Sequence, residues 1–217
     1  MVPVVVNRIP EGVIERLPHY LNVLISLRQD GQATVSSARL GELTSVNPAQ
    51  IRRDLTHFGS FGKRGVGYDI TTLVGRIQKI LGADHTHRLA LVGAGNLGSA
   101  IADYQGLRTH GFIVSGVFDN DSRKIGLRLG GTVVRHIDDL ESLVAEQGIR
   151  IGVIAVPPDA AQVVADRLVD AGVSVILNYT PVMVRVPGHV TLHNTDPVQE
   201  LLHTLYYLSR REGVASA

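Results

Sequence analysis

Residues 89–100, LALVGAGNLGSA, join an apolar run to a glycine-rich turn and the start of a helical pattern. Glycines at positions 93, 95 and 98 have the Gly-x-Gly-x-x-Gly spacing of dinucleotide-binding turns, in the strand, turn and helix context that this spacing requires. Gly93 permits a tight turn, Gly95 admits a pyrophosphate close to the backbone, and Gly98 lets the helix and strand pack closely. The helix N-terminus adds free N–H groups and a positive dipole end. The stretch therefore predicts a dinucleotide site of the NAD type.

An acidic residue stands where the second strand of such a unit should end. Asp119 follows the apolar run FIVSGVF and lies 21 positions after Gly98. A carboxylate at that place can accept hydrogen bonds from the adenosine ribose hydroxyls. It would also repel a 2′-phosphate, although the cations Arg123 and Lys124 stand nearby. We therefore expect NAD rather than NADP.

Short apolar runs alternate with helical segments from residue 88 onward. The predicted strands are RLALVG (88–93), FIVSGVF (112–118), IRIGVIAV (149–156) and GVSVILN (172–178). Helical patterns near 96–105, 139–147 and 159–171 separate them, which predicts a parallel sheet with right-handed crossovers. Apolar residues at helical spacing over 197–211 predict a final helix.

The N-terminal part has the pattern of a helical domain. Apolar spacing predicts a helix over about 11–29, in which Pro18 starts a second segment or kinks the first. A short helix follows, with Ser36 or Ser37 as its N-cap. Asn47 is a good N-cap and Pro48 suits the first helical position, so NPAQIRRDLTHF predicts a third helix.

The third helix is amphipathic, and a basic glycine-rich segment follows it. The side chains predicted to face inward are Ile51, Leu55 and Phe58, and those predicted to face water or a ligand are Gln50, Arg52, Arg53, Thr56 and His57. The segment GSFGKRGVGYDI (59–70) is typical of an exposed hairpin. Thr71 or Thr72 then caps a helix that Gly82 closes, and GADHTH (82–87) is the expected domain linker. The pattern is that of a winged helix-turn-helix, whose third helix enters a DNA major groove.

Composition sets the class of protein. The chain has 217 residues and no cysteine, which excludes disulfides and thiol-based redox sensing. Residues 1–83 hold 10 Lys or Arg against 6 Asp or Glu, and the rest hold 11 against 14, so the parts carry +4 and −3. The basic N-terminal part favours an anionic partner. The sequence shows neither a signal peptide nor an apolar run of about 20 residues, so we expect a cytoplasmic protein.

Three segments together resemble one known family. IRRDLTHFGSFGKRGVGYDI, VGAGNLGSAIADY and ILNYTPV, in this order, look like the Rex family of redox-sensing transcriptional repressors. The resemblance implies a homodimer that binds inverted-repeat operator DNA when NADH is low and is released by NADH. It also implies the domain plan, with a winged-helix DNA-binding domain over 1–83, a Rossmann NAD(H)-binding domain over 84–195 and a swapped C-terminal dimerisation helix over 196–217.

The resemblance assigns roles to individual residues. Residues matched to DNA contacts, on the third helix and the wing, are Gln50, Arg52, Arg53, Ser60, Lys63 and Arg64. Residues matched to the cofactor site are Gly93, Ala94, Gly95, Asn96, Leu97, Gly98, Tyr104, Asp119, Pro157, Asn178 and Tyr179. Tyr104 also matches a tyrosine that rearranges between ligand states, and Asp196 matches an acidic switch residue before the last helix.

This chain departs from the family pattern in places. Asn22 stands where a related repressor has an arginine that pairs with the acidic switch residue, so that ion pair cannot form here from position 22. Tyr179 stands in place of a phenylalanine and adds a hydroxyl next to the expected nicotinamide pocket. Arg53 replaces a frequent lysine, which changes the geometry of its contact.

Two other functions fit parts of the sequence. An NAD-dependent oxidoreductase is one, but the region after the Rossmann unit is too short for a substrate domain, and no His or Lys stands in a recognisable catalytic setting. A constitutive DNA-binding protein whose Rossmann domain serves only for dimerisation is the other. The pairs His85 and His87, and His189 and His193, are weak candidates for metal ligands, and we expect no metal.

Overall fold

The fold was derived from a computed structural model, which describes residues 9–59, 62–63 and 67–211. The chain divides into two compact units, Met1–His85 and Thr86–Ala217. Each unit has its own apolar core.

The N-terminal unit contains four helices in its described residues. They are α1 (Glu11–Gln29), α2 (Ser37–Thr44), α3 (Pro48–Thr56) and α4 (Ile70–Leu81). Ser36 caps α2 by accepting a hydrogen bond from Arg39 N, and Asn47 caps α3 by accepting one from Ala49 N, as the sequence predicts. These caps satisfy N–H groups that the first helical turn leaves free.

A small antiparallel sheet joins these helices. Its strands are β1 (Thr34–Val35), β2 (Gly62–Lys63) and β3 (Gly67–Asp69), and β3 lies between the other two. The core between the helices contains the fully buried side chains of Leu17, Tyr20, Leu40, Ile51 and Leu73. Strand pairing after α3 gives the winged helix-turn-helix that the sequence predicts.

The C-terminal unit is built on seven strands. They are β4 (His87–Val92), β5 (Phe112–Asp119), β6 (Arg128–Leu129), β7 (Thr132–His136), β8 (Ile151–Ile154), β9 (Val175–Asn178) and β10 (Thr191–Asn194). Their order in the sheet is β10-β9-β8-β4-β5-β7-β6, and every pair except β6 with β7 is parallel. From β4 the chain continues on one side to β5 and β7, and later on the other side to β8 and β9. The order therefore reverses between β4 and β8, which is where Rossmann folds bind ligands.

Helices connect the parallel strands along the chain. They are α5 (Asn96–Asp103), α6 (Gln105–Thr109), α7 (Leu140–Gln147) and α8 (Ala161–Asp170). One apolar cluster packs Leu140, Leu143 and Leu168 with Phe118. Another contains Leu91, Val117 and Val134. Burial of both sheet faces explains why the strands read as continuous apolar runs.

The last helix, α9 (Pro197–Arg211), leaves an apolar stripe open. Val198, Leu201, Leu202, Leu205 and Leu208 are each between 50% and 63% exposed. In the described part of the chain, no helix is both long and apolar enough to cross a membrane.

The structure corrects several sequence-based expectations. Asp69, not Thr71 or Thr72, caps α4, because its carboxylate accepts a hydrogen bond from Thr72 N. The helix expected over 96–105 ends at Asp103, and a second short helix starts after Tyr104. Pro18 neither starts a new segment nor interrupts α1, which is one continuous helix. The strands β6, β7 and β10 were not predicted, because they are short and mostly polar or exposed.

Candidate dinucleotide site and DNA-binding helix

A cavity of about 650 Å³ opens at the carboxyl ends of β4, β5, β8 and β9. This volume is within the range of small-molecule and cofactor sites. Of the residues predicted to bind the cofactor, those that line the cavity are Gly93, Gly95, Asn96, Leu97, Asp119, Pro157 and Tyr179. The topological switch point and the glycine-rich turn thus form one site.

The glycines fit the tasks that the sequence predicts for them. A Cβ at Gly93, whose φ is +106°, would collide with the carbonyl of Ala155, and a Cβ at Gly98 would collide with the carbonyl of Gly93. A Cβ at Gly95 would meet no atom within 4 Å. Gly93 and Gly98 therefore permit close packing, and the open space before Gly95 and the N-terminus of α5 suits a pyrophosphate.

Asp119 is 7% exposed at the end of β5, and its carboxylate is held firmly. Its Oδ2 accepts hydrogen bonds from Ala94 N at 2.7 Å and Lys124 Nζ at 2.9 Å, and its Oδ1 accepts one from Asp121 N at 2.8 Å. Burial alone would raise the pKa of Asp119, but these hydrogen bonds outweigh it and hold the pKa below its ordinary value. Oδ1 keeps a second lone pair for a ribose hydroxyl.

Two predicted cofactor residues lie behind the cavity wall. Ala94 is buried, and its N–H is used by Asp119. Asn178 is fully buried at the end of β9, where its Nδ2 donates to Val182 O and Asn194 Oδ1 while its Oδ1 accepts from Thr180. Asn178 therefore fixes the loop that carries Tyr179, Thr180 and Pro181 into the cavity.

The two predicted switch residues lie at helix ends. Tyr104 stands between α5 and α6, is 65% exposed, and is not among the residues that line the cavity. Asp196 precedes α9, and its Oδ1 accepts a hydrogen bond from Val198 N at 2.9 Å, which is an N-cap contact.

Helix α3 presents part of the predicted DNA-binding set. Arg52 and Arg53 are exposed, and Arg52 Nη1 donates to Ser37 Oγ at 3.0 Å. Gln50 is half-buried, and its Nε2 donates to Asp54 Oδ1 at 2.6 Å. Lys63 belongs to β2, but its side chain, Ser60 and Arg64 lie outside the described residues.

Sequence reasoning missed part of the cavity and a buried network. The cavity residues not predicted are Val92, Asn120, Asp121, Lys124, Ile137, Ala155, Val156, Asp159, Ala160, Val163, Val164, Arg167, Thr180 and Pro181. Many directly follow strands, so the rule that ligands bind at the carboxyl ends of parallel strands could have found them. Asp54, fully buried on α3, had no such signal, because an aspartate that follows the exposed Arg52 and Arg53 is expected to face water with them.

In the described residues, no three His, Asp or Glu side chains form a group that could hold a metal ion.

Comparison with protein families supports both units. Residues 8–56 match the family described as "Putative DNA-binding protein N-terminus", and residues 84–182 match the "CoA binding domain" family. The chain is 51% identical to the redox-sensing transcriptional repressor Rex of Rubrobacter xylanophilus, over 95% of both chains. It is 48% identical to that of Carboxydothermus hydrogenoformans, over 87% of this chain and 91% of the relative.

Solved structures agree with these relatives. The crystal structure of RSP in complex with NAD+ and operator DNA matches with a TM-score of 0.83 and 39% identity, over 94% of both chains. The complex of RSP with NADH matches with a TM-score of 0.82 and 37% identity, over 95% of this chain and 97% of that one. The fold, the glycine-rich site and the identity over nearly the whole length agree, and the chain belongs to the Rex family of redox-sensing transcriptional repressors.

Proposed function

We propose that this chain is a repressor that binds inverted-repeat operator DNA as a homodimer and leaves it when NADH binds. It would thereby respond to the NADH to NAD+ balance. The observation that carries this proposal is the cavity at the switch point, with its glycine-rich turn and Asp119, in a chain whose other unit is a winged helix. The relative RSP has been solved with NADH and with NAD+ and operator DNA, which supports both ligands here.

The dinucleotide would lie along the cavity. Its pyrophosphate would bind the N–H groups at Gly95, Asn96 and Leu97, where the α5 dipole is positive. Its adenosine ribose would donate a hydroxyl to Asp119. Its nicotinamide would lie towards Tyr179, on the opposite side of the turn.

Preference for NADH follows from desolvation. NAD+ carries a positive charge on the nicotinamide ring, and NADH does not. In the homodimer, a pocket formed by Tyr179, a helix of the partner subunit and Tyr104, which does not line the cavity of the single chain, would penalise the charged ring. About 2.7 kcal/mol of differential affinity between the two dimer states shifts the operator affinity about a hundredfold.

Operator binding would use the exposed side of α3 and the wing. Arg52 and Arg53 have the reach and the fork geometry for guanine edges and phosphates. Gln50 lies near the N-terminus of α3, the end of a recognition helix that contacts base edges. Ser60, Lys63 and Arg64 would contact DNA from the wing.

A homodimer would cover the apolar stripe of α9. In a single chain, the five half-exposed aliphatic side chains of this stripe leave apolar surface in contact with water. A contiguous apolar patch of this kind is typical of a protein–protein interface. In the dimer, Asp196 would take part in the switch from its place at the start of α9. The site of action would be the cytoplasm, where operator DNA and NADH are both present.

A regulatory role, without enzymatic turnover, agrees with the groups in the cavity. Among the described residues that line the cavity, the cations are Lys124 and Arg167. Lys124 forms an ion pair with Asp119, and Arg167 forms ion pairs with Glu141 and Asp138. Neither is placed as a general acid or base beside a nicotinamide. The relatives that match this chain over nearly its whole length are transcriptional repressors.

The test is a selection of duplexes from a random pool by the purified protein, followed by gel shifts with NADH, NAD+ or NADPH. We expect an inverted repeat to be selected and released by NADH only. A selected site that NADH leaves bound would support a constitutive DNA-binding protein instead. Turnover of NADH in a spectrophotometric assay with candidate substrates would support an oxidoreductase.

A further inference from the structure

An ion pair between a buried carboxylate and a partly exposed arginine connects α3 to α1. Asp54 is fully buried, and four donors surround its carboxylate. Arg16 donates from Nε to Oδ2 at 2.7 Å and from Nη2 to Oδ1 at 2.8 Å. Tyr20 OH donates to Oδ2 at 2.7 Å, and Gln50 Nε2 donates to Oδ1 at 2.6 Å. The two oxygens are thus satisfied from three directions.

The network keeps Asp54 charged inside the core. Burial alone would raise the pKa of Asp54, but the hydrogen bonds from Arg16, Tyr20 and Gln50 outweigh burial and hold the pKa below its ordinary value. Burial and the bond to Asp54 raise the pKa of Tyr20, so its hydroxyl remains a donor. The carboxylate is therefore a fixed acceptor at neutral pH.

Stability is a poor explanation for such a group. Buried ion pairs can often be replaced by apolar residues of similar volume without loss of stability, and the best-attested advantage of keeping them is structural specificity. Here three of the four bonds fix the carboxylate to α1, and the fourth fixes one side chain of α3. That side chain is Gln50, on the part of α3 that would face DNA bases.

The bond to Asp54 orients the amide of Gln50. One N–H is used, which leaves Oε1 and the second N–H, and neither has a hydrogen-bond partner within the described residues. An acceptor beside a donor matches the N6 amino group and N7 of adenine in the major groove. Guanine offers two acceptors there, and cytosine and thymine offer one polar group each.

We propose that Asp54, held by Arg16 and Tyr20, positions the Gln50 amide so that it reads one adenine in each operator half-site. Gln50 is then a specificity-determining residue, and Asp54, Arg16 and Tyr20 are positioning residues. This inference rests on the proposed operator binding. A long glutamine side chain without the Asp54 bond would have to be ordered on binding, so the network also reduces the entropy lost on recognition.

The test replaces each adenine of the selected half-site in turn by 7-deazaadenine, which lacks N7 but still pairs with thymine. Affinities are measured by fluorescence anisotropy for the wild type, Gln50→Ala, Tyr20→Phe and Asp54→Asn. Gln78→Ala serves as the matched control, because Gln78 is also a half-buried helical glutamine but lies on α4. Circular dichroism checks that each variant folds. If Asp54→Asn proves unstable, Tyr20→Phe replaces it as the milder test, because it removes only one hydroxyl.

At one adenine we expect the replacement to weaken wild-type and Gln78→Ala binding about fivefold or more, and Gln50→Ala binding hardly at all. The ratio of the affinity for the natural duplex to the affinity for the 7-deazaadenine duplex should be smaller for Tyr20→Phe and Asp54→Asn than for the wild type. The inference is overturned if no adenine depends on Gln50, or if the ratio is undiminished in both positioning variants. If the wild type selects no duplex at all, the proposed function fails and the inference fails with it.

Discussion

Two buried aspartates, one in each unit, have different structural roles. Asp119 has three internal donors and one lone pair directed to a cavity, whereas Asp54 has four donors and faces only protein. Both have a pKa below the ordinary value, because hydrogen bonds outweigh burial. The sequence predicted the first, since a known motif fixes its distance from the glycines. It could not predict the second, because the partners Arg16 and Tyr20 are more than 30 residues away.

Asp119→Asn should weaken NADH binding and reduce the discrimination against NADPH. The amide keeps an oxygen acceptor but loses the charge, and a charged acceptor is worth about 1–1.5 kcal/mol more per hydrogen bond, or about tenfold in affinity. The loss of charge also removes the repulsion of a 2′-phosphate. Isothermal titration calorimetry with NADH and NADPH measures both affinities.

Asp170→Asn is the control for this change, because Asp170 lies exposed on α8 outside the cavity. It should bind like the wild type. Equal NADH affinity in wild type and Asp119→Asn would show that Asp119 does not contact the ribose.

The stability of the N-terminal unit should depend on the ionisation of Asp54. Its folded-state pKa lies below the unfolded value of about 3.9, so the folded state binds fewer protons in that window. The contribution of ionised Asp54 to the free energy of unfolding is therefore complete above about pH 4 and is lost as the pH falls through the folded-state pKa. Thermal unfolding from pH 2 to pH 7 should show this decline.

Asp54→Asn should flatten this decline and reduce stability at pH 7 by about 1–3 kcal/mol, because the charged acceptor of four hydrogen bonds is lost while the partly exposed Arg16 keeps some hydration. Tyr20→Phe should raise the pKa of Asp54 and move the decline to higher pH. A wild type and an Asp54→Asn variant with parallel pH profiles would contradict this role of Asp54.

At the scale of elements, long amphipathic segments were predictable and short edge elements were not. The caps of α2 and α3 and the four buried strands followed from capping chemistry and apolar runs. The hairpin of β6 and β7 could not be predicted, because Arg128–Leu129 is too short to show an alternating apolar pattern. Asp69 caps α4 in place of Thr71 or Thr72 because β3 ends directly at the helix, which a boundary based on propensity alone cannot detect.

Helix α9 provides the test of assembly. Leu201→Glu with Leu205→Glu should raise the dimer dissociation constant more than a hundredfold, because two leucines buried in an interface contribute about 3–6 kcal/mol. Neither side chain is buried in the single chain, so the monomer fold should persist. Analytical ultracentrifugation measures the mass.

Gln199→Glu, which adds a charge to α9 away from the stripe, should leave the dimer intact. An unchanged dimer in the double leucine variant would contradict the assignment of α9 to the interface.

The proposed function couples a dinucleotide cavity in one unit to a DNA-binding helix in the other. Thermodynamic linkage requires that operator DNA weaken NADH binding by the same factor by which NADH weakens operator binding. The resemblance places a switch arginine at the position of Asn22, so we expect a different contact to transmit the signal here. The linkage itself does not depend on which contact is used.

The most direct test is operator affinity at a fixed total concentration of NADH plus NAD+, with the ratio varied and NADH affinity measured with and without DNA. We predict that operator affinity falls as the proportion of NADH rises, and that operator DNA lowers NADH affinity by the same factor. Operator affinity that does not change across the ratios would contradict the account.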